Sequence, residues 1–240
     1  MGVSIAARDT ALHALVPVER LLRRAEPDAV PDLLELRAAL ELTAGRTVTR
    51  GRAARFLALT QTSIDRWIVD GAIPTVIDID GKTMVPTREL VRLRVEMDDA
   101  RRQGAQRPLG VVVRQRRERA KALPLGEIAP PELLAELVST GHRRAEVVDL
   151  AVHRLLARDL DERVIAIARW QLEAAAQDGV LHAVWAERWR VLLGRAPAAL
   201  RASIADDTVE AARLRQTSPF KGLVPHEDRR ALMHRLVGAA

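Results

Sequence analysis

Residues 47–93 read TVTRGRAARFLALTQTSIDRWIVDGAIPTVIDIDGKTMVPTRELVRL, and this stretch decides the fold of the first half of the chain. Thr49 and Thr60 are each placed to cap a helix, because a threonine hydroxyl can accept from the free N–H groups of a first helical turn. A turn at 58–60 separates the two predicted helices, and Gly71 supplies the positive φ that ends the second one. The stretch therefore predicts a helix-turn-helix, whose second helix is the recognition helix.

The second predicted helix has one face suited to burial and one suited to solvent. Ile64, Trp67 and Ile68 recur at helical spacing and form its apolar stripe. Burial of that stripe turns the opposite face outward. The residues predicted on this outward face are Gln61, Thr62, Asp65, Arg66 and Val69.

Directly after the second helix, the sequence predicts a β-hairpin. Asp80–Gly81 separates two runs of strand-forming residues, 75–79 and 82–85, and Asp-Gly at this position favours a tight turn. A hairpin that follows a recognition helix is a wing. Thr87 is then expected to cap a further helix, with Glu89 in the first turn of that helix.

The composition places the whole chain in the mainly α class. Of its 240 residues, 48% are hydrophobic and only 2% aromatic, which favours a helical core of leucine, valine and alanine. The sequence has no cysteine, which excludes disulfides, thiolate zinc sites and cysteine nucleophiles and is typical of a reducing compartment. It has no apolar run of about 18 residues, and residues 1–15 do not read as a signal peptide. We therefore expect a cytoplasmic protein that makes no contact with a membrane.

The positive charge is concentrated in one segment. The formal net charge is +6, and residues 101–125 contain eight basic residues against a single acidic one, Glu118. Glycines and prolines interrupt residues 101–130, which indicates a linker or arm. A basic cluster beside a folded domain attracts phosphates and adds salt-dependent affinity for them.

These signals divide the chain into four segments. We expect an N-terminal helical segment at 1–46, a winged helix-turn-helix domain at 47–100, a basic linker or arm at 101–130, and a C-terminal helical domain at 131–240. Leu133, Leu134 and Leu137 predict a short helix at the start of the last segment. The predicted fold is thus mainly α, with a small β-hairpin wing.

The order of these elements resembles the excisionase-like branch of the MerR winged-helix superfamily. The motifs that carry the resemblance are Gly-Ala-Ile-Pro at 71–74 and Val-Pro-Thr-Arg-Glu-Leu at 85–90, within a match that spans 47–93. The chain departs from the family in the turn, where a glycine commonly stands at the position of Ala58 or Leu59. The resemblance implies that the domain binds double-stranded DNA, with its second helix in the major groove and its wing on the backbone.

The resemblance assigns DNA contacts to the outward face of the second helix. Gln61 and Arg66 can each make bidentate contacts with base edges, whereas Thr62 and Ser63 suit phosphates at a helix N-terminus. Asp65 would orient Arg66 or accept from a cytosine. The alternative is a helix-turn-helix that contacts only protein. The full set of predicted DNA-binding residues is Thr60, Gln61, Thr62, Ser63, Asp65, Arg66, Lys82, Arg101 and Arg102.

The helical half of the sequence presents no constellation of catalytic or metal-binding residues. Its motifs include no nucleotide-binding loop, and none of the six histidines in the chain forms an i, i+4 pair. We therefore expect a protein that is not an enzyme and that needs neither a cofactor nor a metal.

Residues 214–225 read LRQTSPFKGLVP and admit two interpretations. In the first, they form a loop that packs on the helical domain and buries Phe220 in its core. In the second, they form a partner site, because this stretch behind an excisionase-like domain resembles VapB-type antitoxins of actinobacteria, which are encoded with PIN-domain ribonuclease toxins. The resemblance implies that basic side chains enter the toxin's magnesium-binding carboxylate cluster. The residues predicted to bind the toxin are Arg213, Arg215, Ser218, Phe220 and Lys221.

Two functions from different classes fit the sequence. The first is an antitoxin that binds operator DNA as a repressor of its own operon and neutralises a PIN-domain toxin, as a homodimer or hetero-oligomer. The second is a stand-alone regulator whose helical domain dimerises or senses a ligand. A phage excisionase is disfavoured, because such proteins are generally shorter than this chain.

Overall fold

A computed structural model describes residues 4–78, 80–123, 125–129, 144–224 and 226–238. The chain is mainly helical and contains a small three-stranded antiparallel sheet within the described residues. It divides into two compact units, Met1–Arg116 and Arg117–Ala240.

The first unit carries the sheet and the helices around it. Its helices are α1 (Ile5–Leu22), α2 (Val30–Ala44, preceded by a 3-10 turn at Pro27–Ala29), α3 (Arg50–Leu57), α4 (Gln61–Val69), α5 (Thr87–Arg102) and α6 (Pro108–Lys121), the last of which runs across the unit boundary. Its strands are β1 (Thr47–Thr49), β2 (Val76–Ile77) and β3 (Thr83–Pro86). The strand order is β1-β3-β2, and β3 pairs antiparallel with both neighbours.

The predicted caps and turns around α3 and α4 are confirmed. The Thr49 hydroxyl accepts from the N–H of Arg52 at 3.4 Å, and the Thr60 hydroxyl accepts from the N–H of Ser63 at 3.2 Å. Gly71 follows α4 with φ of 67°. The hairpin between β2 and β3 also forms where Asp80–Gly81 predicted it.

Thr87 does not cap α5, and that expectation is wrong. The helix begins at Thr87 itself, with Pro86 at the N-cap position. The buried Thr87 hydroxyl instead donates to the carbonyl of Gly45, after α2, while the N–H of Thr87 donates to Arg46. A hydroxyl used as a donor in this way fastens the start of α5 to the loop before β1. Glu89 does lie in the first turn, as predicted.

One apolar core joins the helices of the first unit. Leu12 of α1, Leu57 of α3, Ile64 of α4, Leu90 of α5 and Val112 of α6 are all buried in it. Residues 1–46 were expected to form an N-terminal helical segment, and α1 within it contributes to the same core as α3 to α6. The N-terminal helices are therefore part of the same compact unit as residues 47–93.

Prolines and charges predicted a linker or arm at 101–130, and among the described residues of this segment Pro108–Lys121 form α6. Pro108 occupies the first position of α6, where the missing N–H of proline costs no helical hydrogen bond. Gly104, with φ of 88°, follows the end of α5. Val113 is buried, and the buried Arg116 donates to Glu96 at 2.7 Å. The helix-breaking residues Gly104 and Pro108 therefore lie at helix ends, and α6 packs on the apolar core of the first unit.

The second unit contains helices packed around two apolar clusters. Its helices are α7 (Leu125–Ile128), α8 (Arg144–Arg158), α9 (Glu162–Gln177), α10 (Ala183–Leu193), α11 (Pro197–Ala205), α12 (Val209–Gln216) and α13 (His226–Gly238). One cluster includes Ala151 of α8 and Leu232 of α13, and the other includes Trp189 of α10 and Phe220. The short helix predicted at 133–137 lies outside the described residues.

The turn between α3 and α4 contains a strained position. Ala58 has φ of 56°, in the left-handed region, and its side chain is exposed. A Cβ in this conformation costs roughly 1–2 kcal/mol, and the resembling family commonly has a glycine here or at the next residue.

We expect Ala58→Gly to raise the free energy of unfolding by about 1 kcal/mol, since relief of the Cβ clash exceeds the added entropy of the unfolded chain. Urea denaturation of both proteins measures the difference. Ala39→Gly, on the exposed face of right-handed α2, is the matched control and should lose up to about 1 kcal/mol. An equal decrease in the free energy of unfolding of both variants would contradict backbone strain at Ala58.

Candidate functional site

The buried face of α4 fixes the orientation of this helix about its own axis. Ile64 is 0% exposed, and Trp67 and Ile68 are partly buried against the same core. Thr62 and Arg66 are exposed on the other side, and Val69 is 85% exposed. Residues 62, 66 and 69 follow i, i+4, i+7 spacing, so they form one continuous outward stripe.

The outward stripe, Thr62–Arg66–Val69, combines three kinds of contact group. The Arg66 guanidinium lies 5.3 Å from the centroid of the Trp67 ring, which is favourable for a cation over an aromatic face. The Arg66 side chain is exposed on the surface of the helix, so its N–H donors are accessible. The stripe therefore offers a hydroxyl, a guanidinium fork and an apolar group along about two helical turns.

Thr60 and Ser63, both in the predicted DNA-binding set and the latter assigned to a phosphate, are engaged in capping α4. Their hydroxyl oxygens lie 2.8 Å apart, and Thr60 also accepts from the Ser63 N–H. This cap orients the first turn of the helix. Exposed Thr62 and the N–H groups of the first turn, which have no intrahelical acceptor, are the groups that face outward there.

Two of the predicted contact residues turn toward α3. The Asp65 carboxylate accepts from Nη1 of Arg50 at 3.0 Å, so its partner is Arg50 and not Arg66. A Cβ built on Gly51 would lie 3.6 Å from Oε1 of Gln61. Gln61 and Asp65, one turn apart on α4, therefore face the N-terminal end of α3. Sequence reasoning missed Arg50, because no local pattern links residues fifteen positions apart.

Lys82 lies at the tip of the hairpin, as predicted. The Asp78 carboxylate accepts from the N–H groups of Asp80 and Lys82 at 3.0 and 2.8 Å, which closes the turn with Gly81 at φ of 75°. The Lys82 ammonium lies 3.6 Å from the Asp80 carboxylate and is largely exposed. The hairpin thus presents an ammonium group on a tightly hydrogen-bonded loop.

Arg101 and Arg102 lie in the last turn of α5 and are both paired. Arg101 donates to Asp98 at 2.7 Å, and Arg102 is bonded to Asp99. Among the residues that the structure describes, no hydrogen bond or ion pair joins either arginine to α4. Both guanidinium groups are thus engaged with carboxylates of α5 itself.

Other arginines of the first unit hold its helices together. Arg88 donates to both carboxylate oxygens of Glu41 at 2.7 and 2.8 Å, and these hydrogen bonds raise the pKa of Arg88. Burial lowers the pKa of Arg37 to about 10, and the neighbouring charge of Arg88 acts in the same direction. This network links α2 to α5.

In the second unit, three of the five predicted toxin contacts are buried. Arg215 donates to the carbonyl of Asp206, and burial lowers its pKa. Phe220 is 1% exposed and packs edge-on against Trp189, with ring centroids 5.9 Å apart. Arg215, Ser218 and Phe220 are thus buried within their own unit, as the packing-loop interpretation expects, and are not presented on its surface. Arg213 and Lys221 are exposed, and the Lys221 ammonium is bonded to the carbonyl of Gln216.

His153 anchors the turn that carries Ser218 and Phe220. Its Nδ1 lies 2.6 Å from the carbonyl of Asp149, which can only accept, so Nδ1 carries the proton. Nε2 then accepts from the Ser218 hydroxyl at 2.7 Å, and Ser218 in turn accepts from the Phe220 N–H. Burial lowers the pKa of His153 to about 4, with smaller contributions from nearby cations including Lys221. The imidazole is therefore neutral at pH 7.

An open apolar groove lies between α10 and α12 of the second unit. It has a volume of about 680 Å³, and Val184, Val191 and Leu214 line it. Val191 is 55% exposed although the opposite face of α10 is in the core. An ion pair between Arg188 and Glu210 borders the groove.

No protein-family model, curated protein or solved structure matches this chain. None of the described helices has both the length and the apolar character that crossing a membrane requires.

The His153 network predicts a pH-dependent stability. Between the ordinary histidine pKa of 6.5 and the folded value of about 4, the unfolded chain binds more protons than the folded one. The free energy of unfolding should therefore fall as the pH is lowered through this range. His153→Gln, whose amide oxygen could still accept from Ser218, should be less stable at pH 7 but lose less stability on acidification. Thermal melts at pH 7 and pH 5 compare the two proteins, and equal pH dependence would show that His153 is not responsible.

Proposed function

We propose that the first unit is a winged helix-turn-helix that binds double-stranded operator DNA, and that the chain is a transcriptional repressor. The observation that carries the proposal is the outward stripe on α4, which Ile64 holds in a single rotational setting. The hairpin β2–β3 is the wing. The resemblance to the excisionase-like branch of the MerR superfamily supports the same function.

The chemistry of the outward stripe suits the major groove. An arginine fork can donate to both O6 and N7 of guanine, while an apolar side chain can contact the methyl group of thymine. Arg66 and Val69 present these two groups one turn apart. Thr62, in the first turn of α4, suits a phosphate oxygen together with the free backbone N–H groups. Lys82 on the wing is assigned to the DNA backbone.

We expect Arg66→Ala to weaken operator binding by about 1–3 kcal/mol and to relax selection at one base position. Selection from a random duplex library identifies the operator and the base preferences of each protein, and fluorescence anisotropy then gives the affinities. The control is Arg24→Ala, an exposed arginine after α1, which should bind as the wild type does. If Arg66→Ala keeps both the affinity and the base preferences, α4 is not the recognition helix.

The groove of the second unit favours a second role, binding of a protein partner. We assign this partner to the PIN-domain toxin that the resemblance of residues 214–225 implies, so that the repressor is also an antitoxin. Arg213 is exposed and precedes Leu214, which lines the groove, and the exposed Lys221 is bonded to the carbonyl of Gln216, two residues after Leu214. The partner surface proposed now consists of the groove and these two cations. A stand-alone regulator with a helical dimerisation domain is the alternative.

Growth of cells that express the neighbouring reading frame tests the antitoxin role. The neighbour alone should stop growth, and co-expression of this chain should restore it. Val191→Glu should abolish the rescue, because a charge in the apolar groove opposes burial of a partner. Val180→Glu, at a residue that is 81% exposed and does not line the groove, is the matched control. A neighbour that never affects growth would favour the stand-alone regulator.

A further inference from the structure

The ion pair between Arg50 and Asp65 joins the first residue of α3 to the middle of α4. Arg50 Nη1 lies 3.0 Å from Asp65 Oδ1, and the two side chains are 47% and 39% exposed. An ion pair this exposed contributes only about 0–1 kcal/mol to stability. Because the apolar core already holds α3 against α4, the pair is not needed to keep the two helices together.

The pair leaves most of the Arg50 guanidinium free to bind something else. A guanidinium has five N–H donors, and within the described part of the chain Asp65 is the hydrogen-bond partner that Arg50 has. Asp65 restricts the orientation of a long, exposed side chain. A guanidinium that is oriented in advance loses less entropy when it binds a planar or tetrahedral anion.

We infer that Arg50 is a further DNA-binding residue, that it binds a phosphate of the DNA backbone, and that Asp65 is its positioning residue. The inference rests on the proposed function. In a helix-turn-helix the second helix enters the major groove, while the first helix crosses the backbone. Arg50 stands at the N-terminal end of that first helix, α3, beside the N-terminal half of α4.

This assignment changes the role of Asp65. A carboxylate next to DNA phosphates repels them, so an unpaired Asp65 would weaken binding. Paired with Arg50, its charge is compensated and it directs a donor group to the backbone. Asp65 is therefore removed from the base-reading set, which leaves the outward stripe Thr62–Arg66–Val69 to select the sequence.

The test is a double-mutant cycle on the full chain, with Arg50→Gln, Asp65→Asn and the double variant. Affinities for the selected operator and for a scrambled duplex are measured over a range of salt concentrations. Arg50→Gln should weaken binding to both duplexes by about 10-fold, because a phosphate contact carries no sequence information. It should also reduce the slope of log K against log salt by about 0.9.

Whether Asp65→Asn weakens or strengthens DNA binding shows whether Asp65 positions Arg50. In the presence of Arg50 the variant should weaken binding, because the guanidinium is no longer oriented. In the Arg50→Gln background the same change should strengthen binding, because it removes a negative charge near phosphates. Tighter binding in both backgrounds would overturn the positioning role. A loss confined to the operator in Arg50→Gln would show that Arg50 reads a base, which would overturn the phosphate assignment.

Two further measurements distinguish failure of the proposed function from failure of the role of Arg50. Arg50→Lys retains the charge without the fork and should keep the salt slope of the wild type while it loses affinity. Thermal melts of all these variants should lie within a few degrees of the wild type, because the pair contributes only about 0–1 kcal/mol. If the wild type binds neither duplex, the proposed function itself fails. If the wild type binds and Arg66→Ala weakens operator binding while Arg50→Gln has no effect, only the role of Arg50 fails.

Discussion

Burial of Ile64 is the constraint on which the candidate site depends. Ile64 meets Leu57 of α3 and Val85 of β3 in one core, and all three are fully buried. Burial of such a side chain contributes roughly 1.5–3 kcal/mol. Successive residues of an α-helix are about 100° apart, so a rotation of α4 by one residue would carry Asp65 or Ser63 into the core. The cost of that exchange holds Thr62, Arg66 and Val69 on the outer surface.

The parts of the fold that depend on neighbours in sequence could be predicted. The caps at Thr49 and Thr60 and the turn at Asp80–Gly81 each arise from two to four consecutive residues. The apolar stripe of α4 likewise follows from helical periodicity alone. Thr87 was misjudged, because its hydroxyl finds an acceptor, the carbonyl of Gly45, on a segment 42 positions away. Local propensity cannot weigh a competing partner that only the tertiary fold supplies.

The packing of α6 within the predicted linker or arm could not be foreseen, for a related reason. Its basic residues and prolines have the composition of an exposed arm, but Leu109, Val112 and Arg116 share one face of α6 and all three are buried. A buried arginine looks like a surface residue in a sequence until its partner, Glu96, is known. The same ambiguity applies to Phe220. An aromatic residue beside a proline and two cations suits an exposed anchor or a core plug equally well, and the deciding contact is with Trp189, thirty-one positions away.

The pairing of the basic segment bears on how the protein would recognise DNA. Eight basic residues at 101–125 suggest a strong, sequence-independent attraction. However, ion pairs cancel only part of that charge. Arg102 pairs with Asp99 and the buried Arg116 pairs with Glu96, whereas the Asp98 carboxylate that pairs with Arg101 is shared with Arg20 and Arg94. A neutralised pair has a short-ranged field, because the two potentials cancel beyond their separation and salt screens the remainder. Under the proposed function, the remaining net charge of +6 adds salt-dependent affinity for any duplex, and discrete contacts from α3, α4 and the hairpin β2–β3 select the operator.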